Sequence, residues 1–125
     1  MRLLLDTHVL LWWLNGDTRL RPAARRAIER PGWRRFVSAA SIWEMTLKLA
    51  VGKLALPPHF GDLFAREPFE PLAVTAAHAL RTADLPPVHR DPFDRLLVAQ
   101  CLVEGLTLVT ADERLLGYSI PTLRA

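Results

Sequence analysis

Cysteine is almost missing from this chain of 125 residues: Cys101 stands alone, so no intrachain disulfide can form. It falls within an apolar helical pattern, where a thiol serves as packing rather than as a reactive group. A reducing, cytoplasmic setting fits. No apolar run is long enough to span a membrane. The start is apolar, but Asp6 and His8 interrupt it and no small-residue cleavage site follows, so no secretory leader is expected. The chain lacks a Gly-rich phosphate loop, a nucleophile elbow and a dinucleotide fingerprint. It also lacks Cys/His spacing for structural zinc, and His8, His59, His78 and His89 form no local ligand motif. There is no internal repeat, low-complexity tract or linker.

What is present is apolar material. Half of the residues are hydrophobic, enough for one domain with a real core over residues 1–125, but not for two. The net charge of +3 and a pI near 9.7 permit a nucleic-acid partner without demanding one.

The chain opens on Leu3-Leu4-Leu5, a run without polar alternation that reads as a strand buried on both faces. It stops at Asp6, after which Val9, Leu10, Trp13 and Leu14 keep helical spacing. Asp6 either caps that helix or stands beyond the carboxyl end of a strand, where open parallel sheets bind ligands. Asn15-Gly16-Asp17 is a turn signal, and Pro22 opens a second helix to about Arg30. Arg19, Arg21, Arg25, Arg26, Arg30, Arg34 and Arg35 crowd this region, either as a solvated face or as a phosphate-attracting patch; Arg25 and Arg26 are the RNA-binding candidates.

Phe36-Val37 predicts a second strand, and Ser38 caps a third helix over about Ala39 to Val51. Ile42, Met45 and Leu49 make one apolar stripe; Ala40, Trp43, Leu47 and Val51 make another, so this helix is expected to be largely buried. Ser41, Glu44 and Lys48 form the polar line between them, and Glu44 four residues before Lys48 has the spacing of an ordinary helix ion pair. Gly52 and Pro57-Pro58 mark a loop before a helix from about Phe60 to Arg66. A short edge strand falls within Phe69 to Val74, and Thr75 caps a fifth helix to about Ala83.

Asp91, Pro92 and Asp94 resemble a capping box with Asp in place of the usual Glu. Asp94 nevertheless shares a face with Leu97, Val98 and Cys101, and a carboxylate there needs a partner. Leu106 to Val109 is another strand followed by acids, with Thr110 and Glu113 spaced as a capping box and Asp112 as a helix N-terminal charge. Tyr118-Ser119-Ile120 predicts the last strand. Alternating strands and helices predict an α/β fold: a three-layer α/β/α sandwich around a parallel sheet of four or five strands, the first at its centre.

Asp6, Glu44, Asp94 and Asp112 each have a local explanation, yet all four fall at or near strand carboxyl ends. Such a group of carboxylates repels unless protonated or bridged by cations, and hard oxygen donors suit Mg²⁺ or Mn²⁺.

Four segments carry a resemblance: Leu4-Leu5-Asp6-Thr7-His8-Val9-Leu10-Leu11-Trp12, Ser38-Ala39-Ala40-Ser41-Ile42-Trp43-Glu44, Arg90-Asp91-Pro92-Phe93-Asp94-Arg95-Leu96-Leu97-Val98-Ala99-Gln100 and Val109-Thr110-Ala111-Asp112. In this order and spacing the chain resembles the PIN domain and, within it, the VapC-type toxins of toxin–antitoxin modules. The resemblance covers essentially the whole chain. It implies a metal-dependent endoribonuclease, inhibited by a cognate antitoxin and often homodimeric. It places the acidic constellation on Asp6, Glu44, Asp94 and Asp112 with one or two Mg²⁺ or Mn²⁺ ions. Thr110 then reads as a supporting hydroxyl, and Asp91 as a cap beside the ligands. The expected chemistry is in-line hydrolysis of an RNA phosphodiester leaving a 5′-phosphate and a 3′-hydroxyl. Two alternatives stand beside it. One is a PIN-like RNA-binding module without activity, against which the four acids argue. The other is a receiver-type phosphoacceptor domain. That domain wants paired acids after its first strand and a lysine after its fifth, whereas only Asp6 follows the first strand and no lysine lies beyond Lys53.

Overall fold

The computed structural model describes residues 1–57 and 60–125. The expected Pro57-Pro58 turn therefore lies partly, and His59 wholly, outside the described residues. The sheet has five strands, all parallel: β1 (Arg2–Leu5), β2 (Arg34–Ser38), β3 (Glu70–Leu72), β4 (Thr107–Thr110) and β5 (Thr122–Arg124), in the order β3-β2-β1-β4-β5. Among the described residues six α-helices connect them: α1 (Thr7–Asn15), α2 (Pro22–Glu29), α3 (Ala39–Ala50), α4 (Leu63–Arg66), α5 (Ala76–Arg81) and α6 (Pro92–Glu104). The first strand is central, as its unbroken leucines require. The receiver reading falls here, because that architecture places its strands in the order 2-1-3-4-5.

Strand alternation divides the core between the two faces of the sheet. Leu3 and Leu5 pack with Val37, Val109, Val9, Leu10, Ala24, Ile28 and Met45 on one side. Leu4 packs with Phe36, Leu108, Leu97, Val98 and Cys101 on the other. Helices α1, α2 and α3 thus cover one face and α6 the other, giving the expected sandwich. Gly16 ends α1 at φ 60°, a left-handed conformation that the Asn-Gly-Asp turn supplies at low cost. No helix among the described residues is long and apolar enough to cross a membrane.

Three expectations about local structure fail. The last strand is Thr122–Arg124, not Tyr118 to Ile120; Leu115–Gly117 form a 3₁₀ turn instead, and Tyr118 is buried against α6. No α-helix follows Thr110, so the Thr110–Glu113 capping box does not form: the Thr110 hydroxyl accepts from the Asp112 amide at 3.0 Å, and Glu113 pairs with Arg124. Helix α3 does not bury both apolar stripes. Trp43 is 61 % exposed, and Leu47, Leu49 and Val51 are exposed with it. It is the polar line that turns inward. Ser41 and Glu44 are buried, and the Ser41 hydroxyl accepts from Thr7 Oγ1 at 3.0 Å, tying α3 to α1.

Candidate active site

Burial of a polar helix line calls for a polar site, and the carboxyl edge of the sheet provides it. Asp6 follows β1 and continues the ladder, its amide donating to the Val109 carbonyl at 3.0 Å. Its side chain does both things the sequence allowed. Oδ1 accepts from the His8 amide at 3.2 Å as the cap of α1, and Oδ2 accepts from Thr110 Oγ1 at 2.7 Å. Burial raises the Asp6 pKa above the ordinary carboxylate value, against the opposing effects of the Thr110 hydroxyl and His8.

Glu44 comes in from α3. Its Oε2 accepts from Lys48 Nζ at 2.8 Å, so the simple ion pair exists, and it holds the Lys48 pKa above its ordinary value. Its Oε1 is buried and has no hydrogen-bond partner. An orphaned buried carboxylate oxygen is costly, and marks a place where a further donor or cation fits.

The start of α6 brings two acids with different roles. Asp91 is the cap, its Oδ1 accepting from the amides of Phe93 at 2.9 Å and Asp94 at 3.1 Å. The reciprocal half of the capping box is missing, since the Asp91 amide donates to His89 Nδ1 rather than to Asp94. Asp94 is thereby left to face the cluster, with its side chain only 16 % exposed. Burial first, then the charges of Asp6, Asp91, Glu44 and Asp112, push its pKa from 3.8 up to about 8. Asp112, after β4, behaves oppositely. Partial burial pushes it up, but the Arg114 amide, the His89 ring and the Arg114 charge outweigh this, and its pKa falls. Neighbouring carboxylates with pKa values driven apart are a mark of functional sites.

The feature that sequence reasoning missed is His89. It is buried, and its Nε2 lies 3.0 Å from Asp112 Oδ2 and 3.1 Å from Asp94 Oδ2. Side-chain ligand atoms of His89, Asp94 and Asp112 lie within 4.8 Å of one another. The local signal was weak: His89 sits two residues before a cap, and Asp112 is 23 residues further on. The other described histidines have other surroundings. His8 is exposed beside Asp6, and His78 completes the cap of α5 with Thr75.

The donor set is rich in carboxylate oxygen, Glu44 has an orphaned oxygen aimed at no partner, and burial, with the crowded charge added to it, leaves Asp94 well above its usual range. These features fit a hard divalent cation. A shallow cavity of about 190 Å³ adjoins the site, lined by Asp6, His8, Trp12, Ala111 and Asp112.

The arginines lie along α2 and its flanks, and several are already engaged. Arg25 stacks over Trp13 at 5.1 Å, Arg19 over Trp12 at 5.5 Å and Arg30 over Trp33 at 4.7 Å. Arg34 forms a two-bond pair with Glu70. Arg26 is exposed and lines a surface hollow with Arg30 and Trp33.

Comparison with known proteins bears on the family and the fold. The family model for the PIN domain matches residues 3–119. The chain is 34 % identical over 122 residues to Ribonuclease VapC22 of Mycobacterium tuberculosis (strain ATCC 25618 / H37Rv), covering 94 % of this chain and 92 % of that protein. Among solved structures it resembles a chain of VapBC2 from Rickettsia felis bound to a promoter DNA fragment, with TM-score 0.75 and 15 % identity over 99 % of this chain and 98 % of that one. It also resembles a chain of DNA-bound VapBC from Salmonella typhimurium, with TM-score 0.69 and 15 % identity over 99 % and 98 %. A toxin–antitoxin complex from Klebsiella pneumoniae is similar at TM-score 0.67 and 18 % identity, over 96 % and 94 %.

Proposed function

Since the chain belongs to the PIN-domain family, we propose that it is a metal-dependent endoribonuclease toxin of the VapC type, held in check by a cognate antitoxin. The observation that carries the reading is the meeting of Asp6, Glu44, Asp94 and Asp112 at one sheet edge, with Asp94 raised to about 8 by burial and its acidic neighbours. These four side chains would hold one or two Mg²⁺ or Mn²⁺ ions. When bound, such an ion stabilises charge developing on a phosphodiester and lowers the pKa of its water.

The chain's own residues prepare the site. Thr110 and the His8 amide hold Asp6 from its two oxygens, and Lys48 holds one oxygen of Glu44 while the other is left without a partner. Asp91 keeps the α6 amides satisfied, so the Asp94 carboxyl is not drawn into capping. Trp12 and His8 wall a cavity beside Asp6 and Asp112, the side from which a backbone phosphate would approach. Exposed arginines such as Arg26 supply attraction that an acidic pocket cannot. The products are a 5′-phosphate and a 3′-hydroxyl, and the RNA 2′-hydroxyl takes no part.

An exposed apolar surface on α3 is the candidate for partner binding. Trp43 stands out from α3 with one edge against Phe93, the ring centroids 5.5 Å apart. With Ile42, Phe64, Pro71 and Leu72 it lines an apolar groove of about 590 Å³. Exposed apolar surface of this kind is expected to be covered by an antitoxin segment or a second copy of the chain in the cytoplasm.

The test is cleavage of a labelled RNA by purified protein with Mn²⁺ and with chelator. The expected result is cleavage with Mn²⁺ alone, persistence when the nucleotide 5′ to the cut lacks its 2′-hydroxyl, and loss in Asp6→Asn. Cleavage that continues in chelator, or an Asp6→Asn protein with full activity, overturns the reading. RNA binding without cleavage under any divalent ion would make the chain an inactive RNA-binding module.

A further inference from the structure

His89 is held from every polar atom it has. Its amide donates to the Tyr118 hydroxyl at 3.0 Å, and its carbonyl accepts from Arg95 Nη1 at 3.4 Å. Arg95 is itself fixed by the carbonyls of Thr82 at 3.0 Å and Pro86 at 3.1 Å. Ring Nδ1 faces the Asp91 amide at 3.0 Å, and ring Nε2 faces Asp112 Oδ2 at 3.0 Å with Asp94 Oδ2 at 3.1 Å.

The Asp91 contact determines the tautomer. A backbone amide can only donate, so Nδ1 must present its lone pair, and the ring proton sits on Nε2. The nitrogen that faces the two carboxylates is therefore a donor. A metal ligand needs a lone pair at that atom, so distance alone would misread His89 as a third ligand beside Asp94 and Asp112.

We propose that His89 is a positioning residue rather than a ligand of the metal centre, its Nε2–H donating to Oδ2 of Asp112, the acid after β4, while Oδ2 of Asp94, the acid that opens α6, stands 3.1 Å from the same nitrogen. The inference rests on the metal-dependent reading above. Asp112 sits on a turn after a strand and Asp94 on the first turn of a helix, and neither element fixes the other's carboxylate. The imidazole lies between them, hydrogen-bonded to Asp112 and in close contact with Asp94. Its own position is set by Tyr118 and Arg95, so the segment 82–89, the Leu115–Gly117 turn before Tyr118 and α6 together determine the spacing of two carboxylates.

Two measurements on the full chain test this. The first is the long-range ¹H–¹⁵N spectrum of the wild type, without and with Mg²⁺. Nε2 is expected to carry the proton and Nδ1 to remain unprotonated in both. Loss of the Nε2 proton on adding Mg²⁺, with Nδ1 becoming protonated, would make His89 a ligand and overturn the proposal. The second is Mn²⁺ binding, read from the free-ion electron-spin signal, in His89→Ala and His89→Gln. The alanine variant should bind about tenfold more weakly or worse, as for other residues that orient metal ligands. The glutamine variant should recover most of the affinity, because its amide nitrogen can donate from near the place of Nε2. Equal Mn²⁺ affinity in wild type and His89→Ala overturns this inference alone, whereas a wild type that binds no Mn²⁺ overturns the metal reading and this inference with it. If His89→Ala does not fold, the wild-type spectrum decides.

Discussion

Thr110 donates its hydroxyl to Oδ2 of Asp6 at 2.7 Å, both groups buried, across 104 residues of chain. The Thr110 hydroxyl oxygen in turn accepts from the Asp112 amide at 3.0 Å. One threonine thus orients the acid after β1 and shapes the turn that carries the acid after β4. The parallel pairing of Leu5 with Val109 places the two strand ends side by side, so their next residues meet without any further device.

Removing that hydroxyl should be costly out of proportion to its size. Thr110→Val keeps the shape but leaves Asp6 Oδ2 without its donor, and Asp6 is already raised by burial. Its ionised form becomes harder to maintain, and the carboxylate is free to turn. Mn²⁺ affinity and RNA cleavage should each fall by about 10- to 100-fold. Thr110→Ser should retain most of both. Titration calorimetry with Mn²⁺ and a cleavage assay check it; an unchanged valine variant would show that Asp6 is held well enough by the His8 amide.

Arg25 and Arg26 separate two meanings of the arginine-rich helix. Arg25 is half-buried over Trp13, whereas Arg26 is exposed. If both track phosphates, changing both to Gln weakens RNA binding across sequences. The slope of log affinity against log salt then falls by roughly 0.7 for each phosphate of a single strand that is no longer neutralised. If Arg25 only packs, Arg25→Gln lowers the melting temperature and leaves the slope alone. Fluorescence anisotropy at several salt concentrations distinguishes them.

The backbone of this site could be read from residue order, because strand-then-acid is a pattern within four or five residues. Leu3-Leu4-Leu5-Asp6 and Leu108-Val109-Thr110-Ala111-Asp112 each carry it. The parallel sheet and central first strand followed from the same runs. What could not be read were relations that depend on which way an element faces. Helix α3 has a polar line narrower than its apolar stripes, and periodicity alone sends the polar line to solvent. The fold turns it inward because Ser41 and Glu44 meet α1 and the acidic cluster. His89 escapes notice because its partners lie on two elements. Spacing alone makes Thr110 a local cap with Glu113, whereas the resemblance reads it as a supporting hydroxyl, and its short bond is to Asp6. The last strand was displaced because Tyr118 is an aromatic anchor of the α6 face rather than a sheet residue.

Trp43 supplies a test of the partner surface that leaves the catalytic acids in place. Its ring is exposed beside an apolar groove, and tryptophan is enriched among binding hot spots. Trp43→Ala should weaken capture of the antitoxin, or self-association, by about 2 kcal/mol or more. Its effect on stability should be small, since little of the ring is covered within the chain. Co-purification with the antitoxin and sedimentation of the isolated chain measure the two outcomes. Unchanged association in both would remove Trp43 from the interface.

Asp94 links the chemistry to stability most directly. Its pKa stands at about 8 in the fold against an ordinary 3.8, chiefly through burial and then through Asp6, Asp91, Glu44 and Asp112. A carboxyl with a raised folded pKa contributes stability that is fully present below the unfolded value and is lost as pH rises through the folded one. The metal-free protein should therefore lose stability progressively between about pH 4 and pH 8 on account of this group. Asp94→Asn removes that dependence, because the amide neither titrates nor needs a counter-charge, and the Asp91 cap is untouched. Any favourable charge at the α6 N-terminus that the variant forgoes is worth only about 0.3–1 kcal/mol. In chelator, the two proteins should melt together near pH 4 and diverge as pH rises, Asp94→Asn melting higher at pH 8 by about 4 °C for each kcal/mol of relief. Added Mn²⁺ should close the gap from the wild-type side by mass action, while the variant should bind the ion poorly and cleave no RNA. Unfolding scans across this pH range, with chelator and with Mn²⁺, settle the matter. A variant that melts lower than the wild type at pH 8 in chelator would make Asp94 a structural acid of the helix terminus and take from the acidic cluster its main energetic signature.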